Sequence, residues 1–225
     1  MAFRPAQSYH YERGHRLTTA ATTAVVTAAQ LQAFVKADST MLPYTEADAL
    51  VAQATNYIEQ LSGLTFINQS WQLTLDAWPG YVEPWWDGVV QAPLSIMTSG
   101  QARWLDLPRY PLSSITSVTT YDEADAASVV VVDTVFQTDT QRMPGRLSLK
   151  SGQLWPTATR PTNAIVIVYV AGFGSAASVV PASLYRAVLQ FASFLYEAKG
   201  GCDFADGFKK SGARSLISAY ALRGV

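Results

Sequence analysis

The chain has 225 residues, 49% of them apolar and 15% charged, with a formal net charge of −1. That balance excludes a disordered chain and supplies apolar surface for one domain, or for one domain with an elaborate insertion. It excludes an overall electrostatic pull toward nucleic acid, and one cysteine, Cys202, excludes an intrachain disulfide or thiolate metal cluster and points to a reducing compartment.

The first 16 residues are polar and aromatic without a period, and they predict an extended arm running to residue 26. Residues 17–29 loosely imitate a secretion signal, but their threonines leave them poorly hydrophobic. No apolar run approaches the roughly 20 residues of a membrane span. Thr27 with Gln30 spells a capping box, and Leu31, Phe34 and Val35 give a short first helix that ends before Pro43.

Ala47, Leu50, Val51, Ala54, Tyr57, Ile58 and Leu61 then lie on one helical face. Thr45 is the predicted cap, Asp48 favours the positive end, and Gly63 is the predicted stop. The period next switches to two. Trp71, Leu73, Leu75 and Ala77 alternate with Gln72, Thr74 and Asp76 until Pro79. Further strands are predicted at 103–107, 115–121, 129–136, 146–149 and 164–170. Together they suggest a mostly antiparallel sheet or small barrel, with the doubly apolar run 165–170 central.

Pro181 predicts the start of a third helix, with Leu184, Ala187, Val188, Phe191, Phe194, Leu195 and Ala198 on one face and Gly200 and Gly201 as its end. This stripe and that of residues 50–61 are the simplest partners for each other. The expected fold is therefore α+β. A small helical bundle (27–63 and 181–201) carries a mostly antiparallel β domain (64–180) inserted between two helices, with an N-terminal arm (1–26) and a C-terminal tail (202–225). Gly207 and Gly212 interrupt that tail, which is expected to order against a partner rather than alone.

Charge is unevenly spread. Residues 1–17 sum to +2 and residues 199–225 to +3, which leaves −6 for the middle. Basic ends on an acidic body suggest arms that dock onto something acidic.

Signals for chemistry are weak. The only histidines, His10 and His15, fall in the expected arm, and no further ligand is spaced to join them and Glu12 around a metal. Asp122-Glu123-Ala124-Asp125 spells a helicase motif with no phosphate loop to accompany it, and reads as a solvated turn. Gly172-Phe173-Gly174 reads as a tight turn rather than a dinucleotide loop. Asp76, Glu83, Asp87 and Asp106 lie near Trp78, Trp85, Trp86 and Trp104. Acids beside tryptophans suit a glycan surface or a glycosidase, but tryptophans covering a small sheet account for them more simply. No cofactor is expected.

Several segments resemble the head–tail connector (adaptor) proteins of tailed bacteriophages. They are Ala54-Thr55-Asn56-Tyr57-Ile58-Glu59, Gln69-Ser70-Trp71-Gln72-Leu73-Thr74-Leu75-Asp76-Ala77-Trp78-Pro79, Leu107-Pro108-Arg109-Tyr110-Pro111-Leu112 and Val168-Tyr169-Val170-Ala171-Gly172-Phe173-Gly174. Ile115-Thr116-Ser117-Val118, Pro144-Gly145-Arg146, Trp155-Pro156 and Pro181 with the helix to Tyr196-Glu197 complete a series in order across about residues 31–197. The chain departs from the usual pattern in its long arm, in residues 80–102 with Trp85-Trp86, and in the tail after Cys202.

The resemblance implies a non-enzymatic virion protein, made in the host cytoplasm. It implies a ring, usually of twelve copies, beneath the portal, with a stopper or tail-completion protein below and DNA passing through without sequence-specific binding. On this basis the tail is the expected portal contact. Phe204, Phe208, Leu216, Ile217 and Tyr220 would be its apolar part, and Lys209, Lys210, Arg214 and Arg223 its salt-sensitive part. Trp85 and Trp86 are the expected contact loop for another neck protein. The acidic middle is expected to line the channel and repel phosphate. A stopper or tail-terminator role and a β-rich carbohydrate-binding module using Trp85, Trp86 and Trp104 are the alternatives.

Overall fold

A computed structural model describes residues 13–79, 103–199, 201 and 203–220. The elements in chain order are β1 (Arg13–Thr19), α1 (Ala28–Val35), α2 (Tyr44–Ser62), β2 (Gln69–Leu75), β3 (Trp104–Asp106), β4 (Leu112–Tyr121), β5 (Ala127–Val130), the single turn α3 (Val132–Val135), β6 (Phe136–Asp139), β7 (Arg146–Leu149) and β8 (Ile165–Ala171). A 3₁₀ turn (Ala177–Val179) leads into α4 (Ala182–Ala198), α5 (Phe204–Lys210) and α6 (Ala213–Ile217). The class is α+β, as the switch of period from 3.6 to 2 predicts.

The described chain divides into two compact units. The first is built on sheets: among the described residues, 13–18, 70–79, 103–107 and 114–170. Five strands lie in the order β1-β2-β8-β4-β5 and three in the order β3-β7-β6. β4 pairs antiparallel with β5, and β7 antiparallel with both β3 and β6. β8 is central, as its apolar run predicts, and Ile165, Ile167 and Tyr169 are fully buried. Along β2, Trp71, Leu73 and Leu75 face inward. Trp78 stacks on Trp155 at 4.5 Å, tilts against Phe136, and donates its indole N–H to the Pro156 carbonyl at 2.8 Å. It therefore covers the sheet, as the simpler reading of the tryptophans expects.

The second unit is helical: residues 19–69, 108–113 and from 171 onward. α2 packs on α4, and α1 on both. Ala47, Val51, Ala54 and Ile58 meet Leu184, Ala187, Val188 and Phe191 in one core, in which the side chains larger than alanine each contribute about 1.5–3 kcal/mol. The capping box of Thr27 and Gln30 is present, and Gly63 ends α2 at φ 77°.

Four local features differ from expectation. Residues 13–19 form an edge strand rather than part of an arm, and Val25 and Val26 are buried. Both faces of β1 carry polar groups, so no alternation announces the strand. α2 begins at Tyr44 behind Pro43, whose fixed φ of −58° sets the start, so Thr45 is not the cap. The run 129–136 splits into the end of β5, α3 and the start of β6. Finally, Lys199, in the left-handed region at φ 46°, is the C-cap of α4 in place of the expected glycines.

Candidate functional site

The last two helices make the most distinctive surface of the helical unit. Asp203 caps α5 by accepting the Ala205 amide at 3.2 Å, and Lys209 and Lys210 sit in its last turn, where the helix dipole favours cations. Gly212, at φ +76°, is the joint that lets α6 start in a new direction. The tail thus folds on its own chain, where the sequence suggested a segment awaiting a partner.

Phe208 is 3% exposed and lies 5.5 Å from Phe191 and 5.6 Å from Tyr57, centroid to centroid. Phe204 joins the same rings at 5.6 Å from Tyr57 and 6.1 Å from Phe191. Burial of the Tyr57 hydroxyl, with Asp203 nearby, pushes its pKa up. Ile217 is 3% exposed, Leu216 is half-buried, and Tyr220 meets Phe173 edge-on at 6.4 Å.

The expected docking set therefore separates. Phe208 and Ile217 are core side chains, because the apolar faces of α5 and α6 close over α4. Lys209, Lys210 and Arg214 are exposed, as is Phe204 in part, with Leu61 at their side. A 30 Å³ notch lined by Ile58, Leu61, Phe208, Arg214 and Ile217 lies among them. Arg223, Trp85 and Trp86 lie outside the described residues. A wider cleft of about 420 Å³ opens elsewhere on this unit, between Met41, Glu46, Leu50, Leu195, Tyr196 and Lys199.

Glu59 and Arg109, both within the segments that resemble the adaptors, hold the C-terminal end of α2. Glu59 is 6% exposed and accepts the Phe66 amide at 2.8 Å and the Gln69 side chain at 3.3 Å. Burial raises its pKa, against the lowering pull of those two bonds and of Arg109. Arg109 donates to the Glu59 carbonyl and the Tyr110 hydroxyl to the Ser62 carbonyl, each at 2.5 Å. The four residues lock the C-terminal turn of α2 to segment 108–113. Glu59 lies off the apolar stripe of α2, its carboxyl partners Phe66 and Gln69 stand beyond the end of the helix, and Arg109, on its carbonyl, is 50 residues ahead, so it carried no local signal.

His15 is stacked on Trp71 at 4.7 Å and 8° and shares a 2.9 Å hydrogen bond with the Tyr169 hydroxyl, so it is a structural residue of the sheet. Asp122 folds its own turn by accepting the amides of Ala124 and Ala126, as a solvated turn should. Gly172 lies so close to Asn68 that a Cβ would meet its backbone nitrogen at 2.5 Å, the tight turn expected there. Among the described residues no group of three or more His, Cys, Asp or Glu could hold a metal ion, and no helix is long and apolar enough to cross a membrane. Of the tryptophans proposed for glycans, Trp104 is 48% exposed and Trp78 5%.

No protein-family model and no curated protein matches the chain. Solved structures do. A chain from the virion of a native gene transfer agent (GTA) particle superposes with a TM-score of 0.69 at 20% identity, covering 94% of this chain and 96% of that one. A chain from the neck of an empty GTA particle, computed with C6 symmetry, gives 0.64 at 20% identity, over 88% and 94%. A chain from the neck of a native GTA particle, computed with C12 symmetry, gives 0.57 at 21% identity, over 92% and 99%. Across nearly its whole length, the chain has the fold of these particle and neck subunits.

Proposed function

We propose that the chain is a non-enzymatic structural subunit in the neck of a tailed, phage-like particle. Its role is that of a head–tail adaptor, in a ring beneath the portal that joins the capsid to the stopper or tail and lets DNA pass. The observation that carries this reading is the two-way coverage, 94% of this chain and 96% of a GTA virion chain, which leaves little of either without a counterpart. The C6 and C12 symmetry with which the necks holding similar chains were computed supports a ring, and C12 agrees with twelve copies. The −6 of the middle of the chain suits a channel wall along which DNA phosphates slide. Portal contact falls to the exposed cations Lys209, Lys210 and Arg214 with Phe204 and Leu216 beside them, since Phe208 and Ile217 are already buried.

The test is co-sedimentation of the full chain with the portal protein of its particle, beside a Lys209→Glu/Lys210→Glu variant. The expected result is binding by the wild type that weakens with salt and falls about tenfold in the variant. Binding to the tail-side neck protein and not to portal would replace the adaptor role by a stopper role. Binding to neither would overturn the neck reading.

A further inference from the structure

The five-stranded sheet has two open ends of opposite charge. β1 lies at one end and β5 at the other, each with one paired neighbour among the described residues. β5 pairs with β4 from Val118↔Val130 to Tyr121↔Ala127, and among the described residues no strand lies on its outer edge. An open edge is a template for a further strand, and proteins normally blunt such edges with charge, proline or a covering element. Here, among the described residues, no element covers the edge and its valines are open: Val129 is 71% exposed and the following Val131 67%. At the other end Leu17, in β1, is 44% exposed.

Charge sorts the two ends. The hairpin of residues 121–133 holds Asp122, Glu123, Asp125 and Asp133, and the one guanidinium paired with it, Arg160 on Asp125 at 3.4 Å, leaves it net negative, while β1 holds Arg13 and Arg16 and no acidic residue. Direction agrees with charge. Gly14 approaches Thr74, and Arg16 and Thr18 bond to Gln72 and Ser70, so β1 runs antiparallel to β2. Asn163 bonds to Asp76 and Tyr121 to Ala164, and with antiparallel pairing throughout the sheet β1 and β5 run the same way. A head-to-tail ring repeats each copy's direction in the next. The two edges would then meet in parallel, start beside start, and the acidic turn before β5 would come beside the arginines of β1.

We infer that β5 of one copy adds to β1 of the next, so that the sheet continues from subunit to subunit around the ring. The occupant of each edge is a second copy of this chain. Four residues of β5 against seven of β1 make a small junction, which suits contacts that become firm only when many act together. This inference rests on the ring reading above, and its test separates the two.

The full chain is compared with Glu123→Lys, Arg16→Glu and the double variant by sedimentation velocity over a concentration series at low and moderate salt. Both side chains are exposed, and Glu123 has no part in the turn's hydrogen bonds. Far-ultraviolet circular dichroism verifies that each variant is folded, and portal co-sedimentation is run on all four. Each single reversal is expected to raise the concentration needed for assembly by about tenfold, and the double reversal to restore it. Three outcomes overturn the inference: a wild type that does not self-associate, single reversals without effect, or a double variant no better than the singles. Loss of portal binding with self-association intact would also overturn it, because the edge would then belong to another neck protein. A restored double variant with no portal binding even by wild type would keep the sheet junction and reject the adaptor role.

Discussion

Glu59, at the buried end of α2, accepts the backbone amide of Phe66 at 2.8 Å, so a carboxyl group closes the turn from the helix into the strand that follows. Removing it leaves a buried amide without a partner. Glu59→Ala is expected to lower stability by about 1–3 kcal/mol in urea denaturation.

The same group sets a pH dependence. Burial raises the folded pKa above the unfolded one, so the fold binds the proton more tightly than the unfolded chain does. The stabilisation from this site is complete below the ordinary carboxylate value and fades as pH rises through the raised folded value. Glu59→Gln should flatten that part of the stability curve and leave the wild type at a disadvantage only on its alkaline side. Denaturation midpoints of the two proteins across that range provide the measurement.

Phe208 and the neighbouring lysines are expected to behave oppositely. Phe208→Ala opens a hole among Tyr57, Phe191 and Phe204, and should cost about 3–5 kcal/mol. Lys209→Glu/Lys210→Glu loses two cations at the end of α5 and should cost only about 1–2 kcal/mol, while weakening the proposed portal contact. Thermal melts alongside co-sedimentation distinguish loss of fold from loss of contact.

At Gly172, alanine would place a methyl group 2.5 Å from the Asn68 nitrogen and 2.7 Å from its Cα, at φ +144°. Strain of that kind costs about 1–3 kcal/mol before the clash is relieved. At Gly152, also at positive φ, the added methyl meets nothing within 4 Å. Gly172→Ala should therefore melt well below Gly152→Ala.

His15 fixes β1 to the sheet through Trp71 and Tyr169. His15→Ala should raise backbone hydrogen exchange across β1 and β2 while the exchange of α2 and α4 stays as in the wild type.

What could be read from the chain followed how local each cause is. The capping box of Thr27 and Gln30, the stop at Gly63 and the alternation of β2 are written within a few residues, and all three were legible. β1 was not, because an edge strand with Arg16 on one face and Leu17 on the other has no apolar side to announce. The valines around residue 130 hid a helical turn, since nothing in their composition separates β5 from β6. Gly207 and Gly212 looked like interruptions of a loose tail. In fact Gly207 is buried inside α5, and Gly212 is the corner that allows Phe208 and Ile217 to reach the same core. In the tail proposed for docking, the burial of Phe208 and Ile217 could not be read, because it depends on packing against α4, earlier in the chain.

The helical unit gathers residues 19–69, 108–113 and those from 171 onward, and this has a consequence for synthesis. The last residue of α2 leaves the ribosome 120 residues before the first of α4. At about 5–20 residues per second, that gap lasts about 6–24 s. Throughout it, the face of Ala47, Val51, Ala54 and Ile58 is without the helix that covers it, on a nascent chain close to others from the same message. The vulnerable period of this protein therefore comes before it is finished, and a chaperone that shelters α2 during translation would raise the yield of folded chain more than one added after release.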